Sequence, residues 1–507
     1  MEFYELFYKW VPVWVRLPVL TILYVVLLTA NGIYLGNTSD MASSQGGYTE
    51  PYTMAYYAMY IGMGLGSMTN LRIRERYTAK SLVICGFLIM LVMNAVCATT
   101  TNPYLTILAC LLLGAGKVAA STEIYLVWLQ VWSKKLDVSR LYPFVYFIAL
   151  GGIYTMTWVT SKLAFIYTWR YAYVAIMMLL FFCLLLSVIL IERHPLKRRV
   201  PLYQMDWQGI ILLTALLMVL NYIIVFGKVE DWLNSSRIRL SGIGVLVLLL
   251  FFIRRELHFK RPVFPLDLFK LPNFRLGLFY IFLLGIFVPA TLQTSFSGGA
   301  LHYENFRNSE LTLYLLPGVT LGAVFCYIWF YKGYHDQLLM FIGFSTVIVY
   351  EILMYNSFGN AFEISSFWFP SFIKGVGLGI LFIAVGIYIT RGHTIKDVLT
   401  VVGIAFLFRS FLGTAVFTAG YNYLLYTQRI RHLDYIGSKT DMSSGTINSA
   451  TANDFYQTFQ SQAGLAAAKE LTGYLIIAGL LIAAALLLKI LHDGLMILKD
   501  KMMEIKP

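Results

Sequence analysis

Charge is scarce in this chain. Only 13% of its 507 residues are Asp, Glu, Lys or Arg, while 59% are hydrophobic. A soluble domain of that composition would not stay in solution. Cysteine is scarcer still: Cys85, Cys97, Cys110, Cys183 and Cys326 all fall inside apolar runs and form no Cys-x-x-Cys pair. They read as small core residues rather than disulfides or metal ligands. Catalytic signatures are missing as well. There is no His-Glu-x-x-His and no Gly-x-Ser-x-Gly, and His393 and Asp397 are one residue too close for His-x-x-x-x-Asp,. No cofactor or metal site is expected. No cleavable signal is expected either. The first residues are aromatic and carry Glu2, Glu5, Lys9 and Arg16, an interfacial lead-in to the first apolar run,.

The net charge of +13 does not point to nucleic acid. Lys and Arg gather in short segments between apolar runs, with no basic helix carrying interleaved aromatics, so nucleic acid is not an expected partner. What fills the chain is a series of apolar runs of about 20 residues, the length of a helix that crosses a bilayer. They predict an all-α polytopic membrane protein, with the lipid bilayer as its surroundings.

The expected spans are Leu17–Gly36, Tyr52–Thr69, Ser81–Thr99, Tyr104–Trp132, Tyr142–Phe165, Tyr171–Ile191 and Trp207–Phe226. They continue with Ile238–Ile253, Leu276–Leu292, Leu311–Tyr331, Leu338–Tyr355, Phe367–Thr390, Val398–Tyr426 and Tyr474–Leu491. An even number puts both termini on one side. Loops after even-numbered spans are rich in Lys and Arg, such as Arg193, Lys197, Arg198 and Arg199. Short loops after odd-numbered spans hold little more than Arg170, Lys228, Arg237 and Arg307. The termini are therefore expected in the cytoplasm. Residues 428–473 form a long polar outer loop. Its first part, Gly437 to Gly445, is turn-rich. Its second part has Phe455, Phe459, Ala463 and Leu465 at near-helical spacing and predicts a surface helix over the outer face.

Several segments resemble the major facilitator superfamily, in particular its 14-span drug:proton antiporter branch of the EmrB/QacA type. Asp206-Trp-Gln-Gly209 opens the seventh span, Gly227 to Trp232 follows it, and Arg261-Pro-Val-Phe-Pro-Leu-Asp-Leu-Phe269 precedes Asn273-Phe-Arg275. That series looks like the two extra spans and linker of this branch. Leu315-Leu-Pro-Gly318, Lys374-Gly-Val-Gly-Leu-Gly379 and Arg409-Ser-Phe-Leu-Gly413 also match. The N-terminal half departs from the pattern. Asn70 stands where an Asp belongs in the loop motif running from Gly66 through Arg72 and Arg74, and Cys110 stands where an Arg is usual. The span-5 antiporter motif is absent near Met156 to Ser161, and no acid precedes Asn31 in span 1.

The resemblance implies a major facilitator fold of 14 transmembrane helices arranged 6 + 2 + 6. Residues 1–200 would be one six-helix bundle, 201–262 a two-helix insert, and 263–507 the second bundle. Each half would be two inverted three-span repeats, with the substrate site between the halves. It implies a secondary transporter in the inner (cytoplasmic) membrane that exports amphipathic or drug-like small molecules, coupled to protons. Some such relatives work with a periplasmic adaptor and an outer-membrane channel. A dedicated exporter or exchanger of one metabolite, and a membrane enzyme such as an acyltransferase, stay open as alternatives.

A charge in mid-span costs about 2.5–3.5 kcal/mol on insertion scales, so it should face a cavity or a partner. Lys117, Glu123, Lys374 and Arg409 are such charges, while Glu351 lies nearer a span end. Lys117 and Glu123 are six residues apart and do not share a helix face. Glu123 is the candidate proton carrier, with Lys117 or Arg409 supplying the charge that drives release; a fixed ion pair is the structural alternative. Gly114-Ala-Gly116-Lys117 is not a phosphate loop, because Leu111 and Val118 break that pattern,. Tyr52, Tyr56 and Tyr60 recur at steps of four with Tyr48 before them. They are candidates, with Asn31 and Lys374, to line a substrate cavity; a packing stripe is the alternative. Gly66, Asn70, Arg72, Arg74 and Arg76 are candidates for a loop that locks one conformation, or else are solvated positive-inside anchors.

Overall fold

The computed structural model describes the chain except residues 1–5, 133–137, 195–200, 202, 204, 260, 300, 360–362, 394, 440–448 and 505–507. The regular secondary structure of the described residues is helical, apart from one isolated antiparallel bridge between Phe7 and Ile191. The helices are α1 (Val13–Thr29), α2 (Thr38–Ser44), α3 (Glu50–Arg74), α4 (Ala79–Thr99), α5 (Pro103–Trp132) and α6 (Val138–Ile166). Next come α7 (Trp169–Leu190), α8 (Trp207–Phe226), α9 (Ser236–His258), α10 (Pro272–Phe287), α11 (Thr291–Gly299) and α12 (Asn305–Leu313). The last are α13 (Leu316–Tyr331), α14 (Asp336–Ser357), α15 (Trp368–Thr390), α16 (Ile395–Phe406), α17 (Thr414–Lys439) and α18 (Ser449–Glu504). Among the described residues, 12 helical segments are long and apolar enough to cross a membrane, which makes this a multi-pass membrane protein. The helix for the first expected span, Val13–Thr29, is apolar but only 17 residues long. The helix for the second, α3, has 25 residues and more polar side chains.

Several expected spans are not single α-helices: the first leaves the helix at Thr29, and the tenth divides between α12 and α13. Pro289 interrupts the ninth between α10 and α11, because proline supplies no N–H and clashes with the preceding turn. Tyr421 compensates by donating its hydroxyl to the Ile286 carbonyl at 2.6 Å. The thirteenth contains a π-helical turn, Leu407–Gly413, between α16 and α17.

The polar region 428–473 differs from the sequence-based expectation. Residues 428–473 are not a loop carrying a separate surface helix. α17 continues to Lys439, and α18 runs from Ser449 through the last span as one helix of 56 residues. The reason is a stripe in phase with that span: Ala463, Ala467, Leu471 and Leu475 recur every four residues and are all buried,. Arg429 donates to Gln460 at 3.0 Å and His432 pairs with Glu470 at 2.9 Å, tying the two helices side by side. Of the expected turn-rich part, residues 440–445 lie outside the described residues.

The chain divides into two compact units. The first comprises Met1–Gly285 with Gly386–Ala419, the second Ile286–Val385 with Gly420–Pro507. In the first, α3 and α5 cross almost backbone to backbone at Gly62 and Gly114. A Cβ on Gly114 would run into the Met59 carbonyl, and one on Gly62 into that of Leu111. The second unit repeats the device, with Gly318 of α13 against Phe372 and Gly375 of α15 against Leu315. Small residues let membrane helices approach this closely. Replacing Gly114 by Val is therefore expected to cost about 3 kcal/mol or more and to remove most folded protein, read as the monodisperse fraction in detergent. Gly242 of α9, with open space around it, should tolerate the same change.

α8 and α9 form a hairpin of their own. Asp206 caps α8 by accepting from the Gly209 amide at 3.0 Å, and it holds Arg255 of α9 at 2.6 Å. Glu256 accepts from the Val263 and Phe264 amides at 3.2 Å each, fixing the linker that follows. The hairpin rests on α3, where Asn221 donates to the Met54 carbonyl at 2.9 Å.

Candidate functional site

The first unit holds three polar centres within its apolar interior. The first is at the end of α3. Arg74, the last residue of that helix, lies 2.8 Å from Glu123 of α5, a side chain only 4% exposed. The contact is an ion pair rather than an aligned hydrogen bond. One turn earlier on the same face is Asn70, 2% exposed, whose amide nitrogen and oxygen both lack a hydrogen-bond partner. Thus Glu123 meets Arg74, a residue expected in the conformational loop, and not Lys117. Gly66 lies where α3 approaches Ala115 of α5, at 3.1 Å for an added Cβ. Arg72 is half-buried and Arg76 exposed.

The second centre is built on the end of α1. That helix stops at Thr29, and the chain turns through Asn31 and Gly32. A helix end leaves carbonyls without intrahelical partners and carries partial negative charge. The Lys117 ammonium takes both roles, donating to the Leu28 carbonyl and to Asn31 Oδ1, each at 2.7 Å. Lys117 is 3% exposed and Asn31 5%. The two residues, chosen separately from the sequence, are one structural unit.

The third centre is aromatic. Tyr56 and Tyr60 are partly exposed, share a hydrogen bond of 3.0 Å and stack edge to face at 5.1 Å. Tyr52, by contrast, is buried and donates to Gln45 at 2.6 Å, and Tyr48 is open to the surroundings. The stripe therefore splits: Tyr52 is packed in the interior, while Tyr56 and Tyr60, its last two members, are partly exposed. Arg409 lies on the π-helical turn, donates to the Tyr146 hydroxyl at 3.0 Å, and sits over the Phe406 ring at 4.7 Å. It is close enough to Tyr60 and Tyr142 to act on them electrostatically. Single π-turns inside α-helices recur at functional sites. Here the turn sets Arg409 among tyrosines.

Lys374 belongs to the second unit. Its ammonium lies 4.6 Å from the centre of the Tyr350 ring, beside Glu351. The sequence reading passed over Glu351 as too near a span end, yet it is 6% exposed. Tyr146 was missed too, since nothing in its spacing marks it among the 35 tyrosines. Among the described residues no group of His, Cys, Asp and Glu could hold a metal ion.

No family model matches the sequence, and no curated protein matches it. Solved structures do match in fold. The human organic anion transporter MFSD10 (TETRAN) is 12% identical, with a TM-score of 0.53 over 92% of this chain and 100% of that one. Tetrameric PepTSo2 is 13% identical, with a TM-score of 0.55 over 94% of this chain and 98% of that one. The nucleoside transporter NupG is 12% identical, with a TM-score of 0.54 over 91% and 99%. The architecture is the major facilitator fold of such transporters.

Proposed function

We propose that this chain is a secondary active transporter. It exports amphipathic or drug-like small molecules across the cell's inner membrane by alternating access, driven by protons. The observation that carries the reading is the Arg74–Glu123 pair, a buried carboxylate at a helix end beside the orphaned amide of Asn70. A buried carboxylate whose counter-charge sits on another helix is a two-state element: protonation cancels the attraction and releases the Arg74 end of α3 from Glu123 of α5. An orphaned buried amide costs about 1–3 kcal/mol, which favours a second arrangement in which Asn70 is paired. The Tyr56–Tyr60 pair with Arg409 offers stacking area, polar tips and one positive charge, which suits amphipathic aromatic compounds. In this reading α1 and α3 are the first two of 14 spans arranged 6 + 2 + 6, with α8 and α9 as the insert and both termini in the cytoplasm.

The test is transport into inverted vesicles, with and without a pH gradient, over a panel of dyes and metabolites. Uptake of several unrelated amphipathic dyes that collapses with the gradient is expected. Gradient-dependent uptake of a single metabolite would instead mark a dedicated exporter, and uptake indifferent to the gradient would rule out proton coupling. Tyr56→Ala should alter the ranking of transported dyes by about tenfold, equivalent to about 1.4 kcal/mol, with protein abundance unchanged. A fall in abundance with the ranking intact would make the stripe a packing element. Single cysteines at Arg193 and Gly437 should label with an impermeant reagent from opposite faces of the membrane. Labelling from one face would end the 14-span reading.

A further inference from the structure

The second unit contains a buried pair of opposite charges that are not bonded to each other. Glu351 of α14 and Lys374 of α15 are 6% and 4% exposed. Among the described residues neither makes a hydrogen bond or ion pair, although Lys374 stands over the Tyr350 ring. Both line one small cavity of about 10 Å³ together with Gln293 and Thr472. That volume is about the room one water needs. Two further observations make it a built site. Tyr350 is held in place by donating to Gln293 at 3.0 Å. The wall at Pro289 is the break between α10 and α11, and interrupted helices are where membrane transporters place ligand-binding backbone.

Glu351 and Lys374 act on each other through space but make no direct contact; a buried charge without a hydrogen-bonded partner is costly, and a ligand that leaves one behind keeps that cost. An anion would pair with Lys374 and oppose Glu351, and a cation would do the reverse. Only a ligand carrying both charges satisfies both side chains. We infer that Glu351 and Lys374 form a binding site for a zwitterion, a small amphipathic molecule whose carboxylate meets Lys374 and whose ammonium meets Glu351. The inference rests on the transporter reading and names its substrate class. The cavity must enlarge to take such a headgroup. Met354 in its wall is an unbranched, adaptable side chain able to withdraw.

Three dansyl probes of similar size test it on the purified full chain in nanodiscs. Nε-dansyl-lysine carries both charges, dansylcadaverine only the ammonium, and 6-(dansylamino)hexanoate only the carboxylate. The wild type is expected to bind the first at least about tenfold tighter than either other. Glu351→Gln should raise the anionic probe to equal the zwitterion, and Lys374→Met should raise the cationic probe. The exchanged double variant, Glu351→Lys with Lys374→Glu, keeps the net charge and should restore preference for the zwitterion if either single variant folds poorly. Equal binding of all three probes by the wild type, or an unchanged order in the variants, would overturn the inference. If that occurs while dye export still follows the pH gradient, this inference alone falls. Zwitterion preference without any vesicle transport would remove the transporter reading and leave the site standing.

Discussion

Replacing Glu123 by Gln is expected to abolish proton-driven export while leaving the protein folded and able to bind substrate. The two partners of the Arg74–Glu123 pair are unequally placed, and that asymmetry sets the outcome. The Arg74 side chain is 23% exposed and the Glu123 side chain 4%. Removing the acid leaves an arginine that water can reach, so stability should change by no more than about 1 kcal/mol. Gln also mimics the protonated carboxyl permanently and cannot alternate. Removing the base strands a buried carboxylate, and breaking such a pair costs about 3–5 kcal/mol. Arg74→Met should therefore lower thermal stability sharply, and the double variant Arg74→Met with Glu123→Gln should recover most of it. Export by Glu123→Gln at the wild-type rate, with the same pH dependence, would reduce the pair to a fixed clamp between α3 and α5.

Much of this site was legible, and the illegible parts have physical reasons. Apolar runs of membrane length located the helices, because lipid demands internally bonded backbone wherever the chain crosses. The hairpin of α17 and α18 differs from the expected loop because residues 428–473 are polar in composition. The buried face that fixes a helix there is a narrow alanine stripe, which a hydropathy reading passes over. Among charges, insertion cost singled out Glu123, Lys117, Arg409 and Lys374, since a buried charge is conspicuous along a chain this apolar. Pairing could not be read in the same way. Arg74 reads as part of a conformational loop or as a solvated anchor, and Asn31 as a lining residue. Which oxygen meets which nitrogen depends on where α1 stops and how closely α3 crosses α5. No spacing or residue pattern in the sequence marks the π-helical turn under Arg409.

The sequence also offered Lys117 as the charge that drives proton release from Glu123, and its contacts support a different role. An ammonium held by the Leu28 carbonyl and Asn31 Oδ1 at 2.7 Å each closes the end of α1 and ties it to α5. If that is its work, Lys117→Met should cost stability chiefly by leaving two buried acceptors unsatisfied, about 1–3 kcal/mol apiece. Replacing both partners by apolar groups of similar shape can be nearly neutral. The double variant Lys117→Met with Asn31→Leu should then regain part of the lost stability, limited by the Leu28 carbonyl that no side-chain change can remove. Gradient-driven export, measured per folded molecule, should follow stability back. A double variant as stable as the wild type that still fails to export would return Lys117 to the coupling machinery, because a tie that the fold no longer needs has nothing left to contribute except its charge.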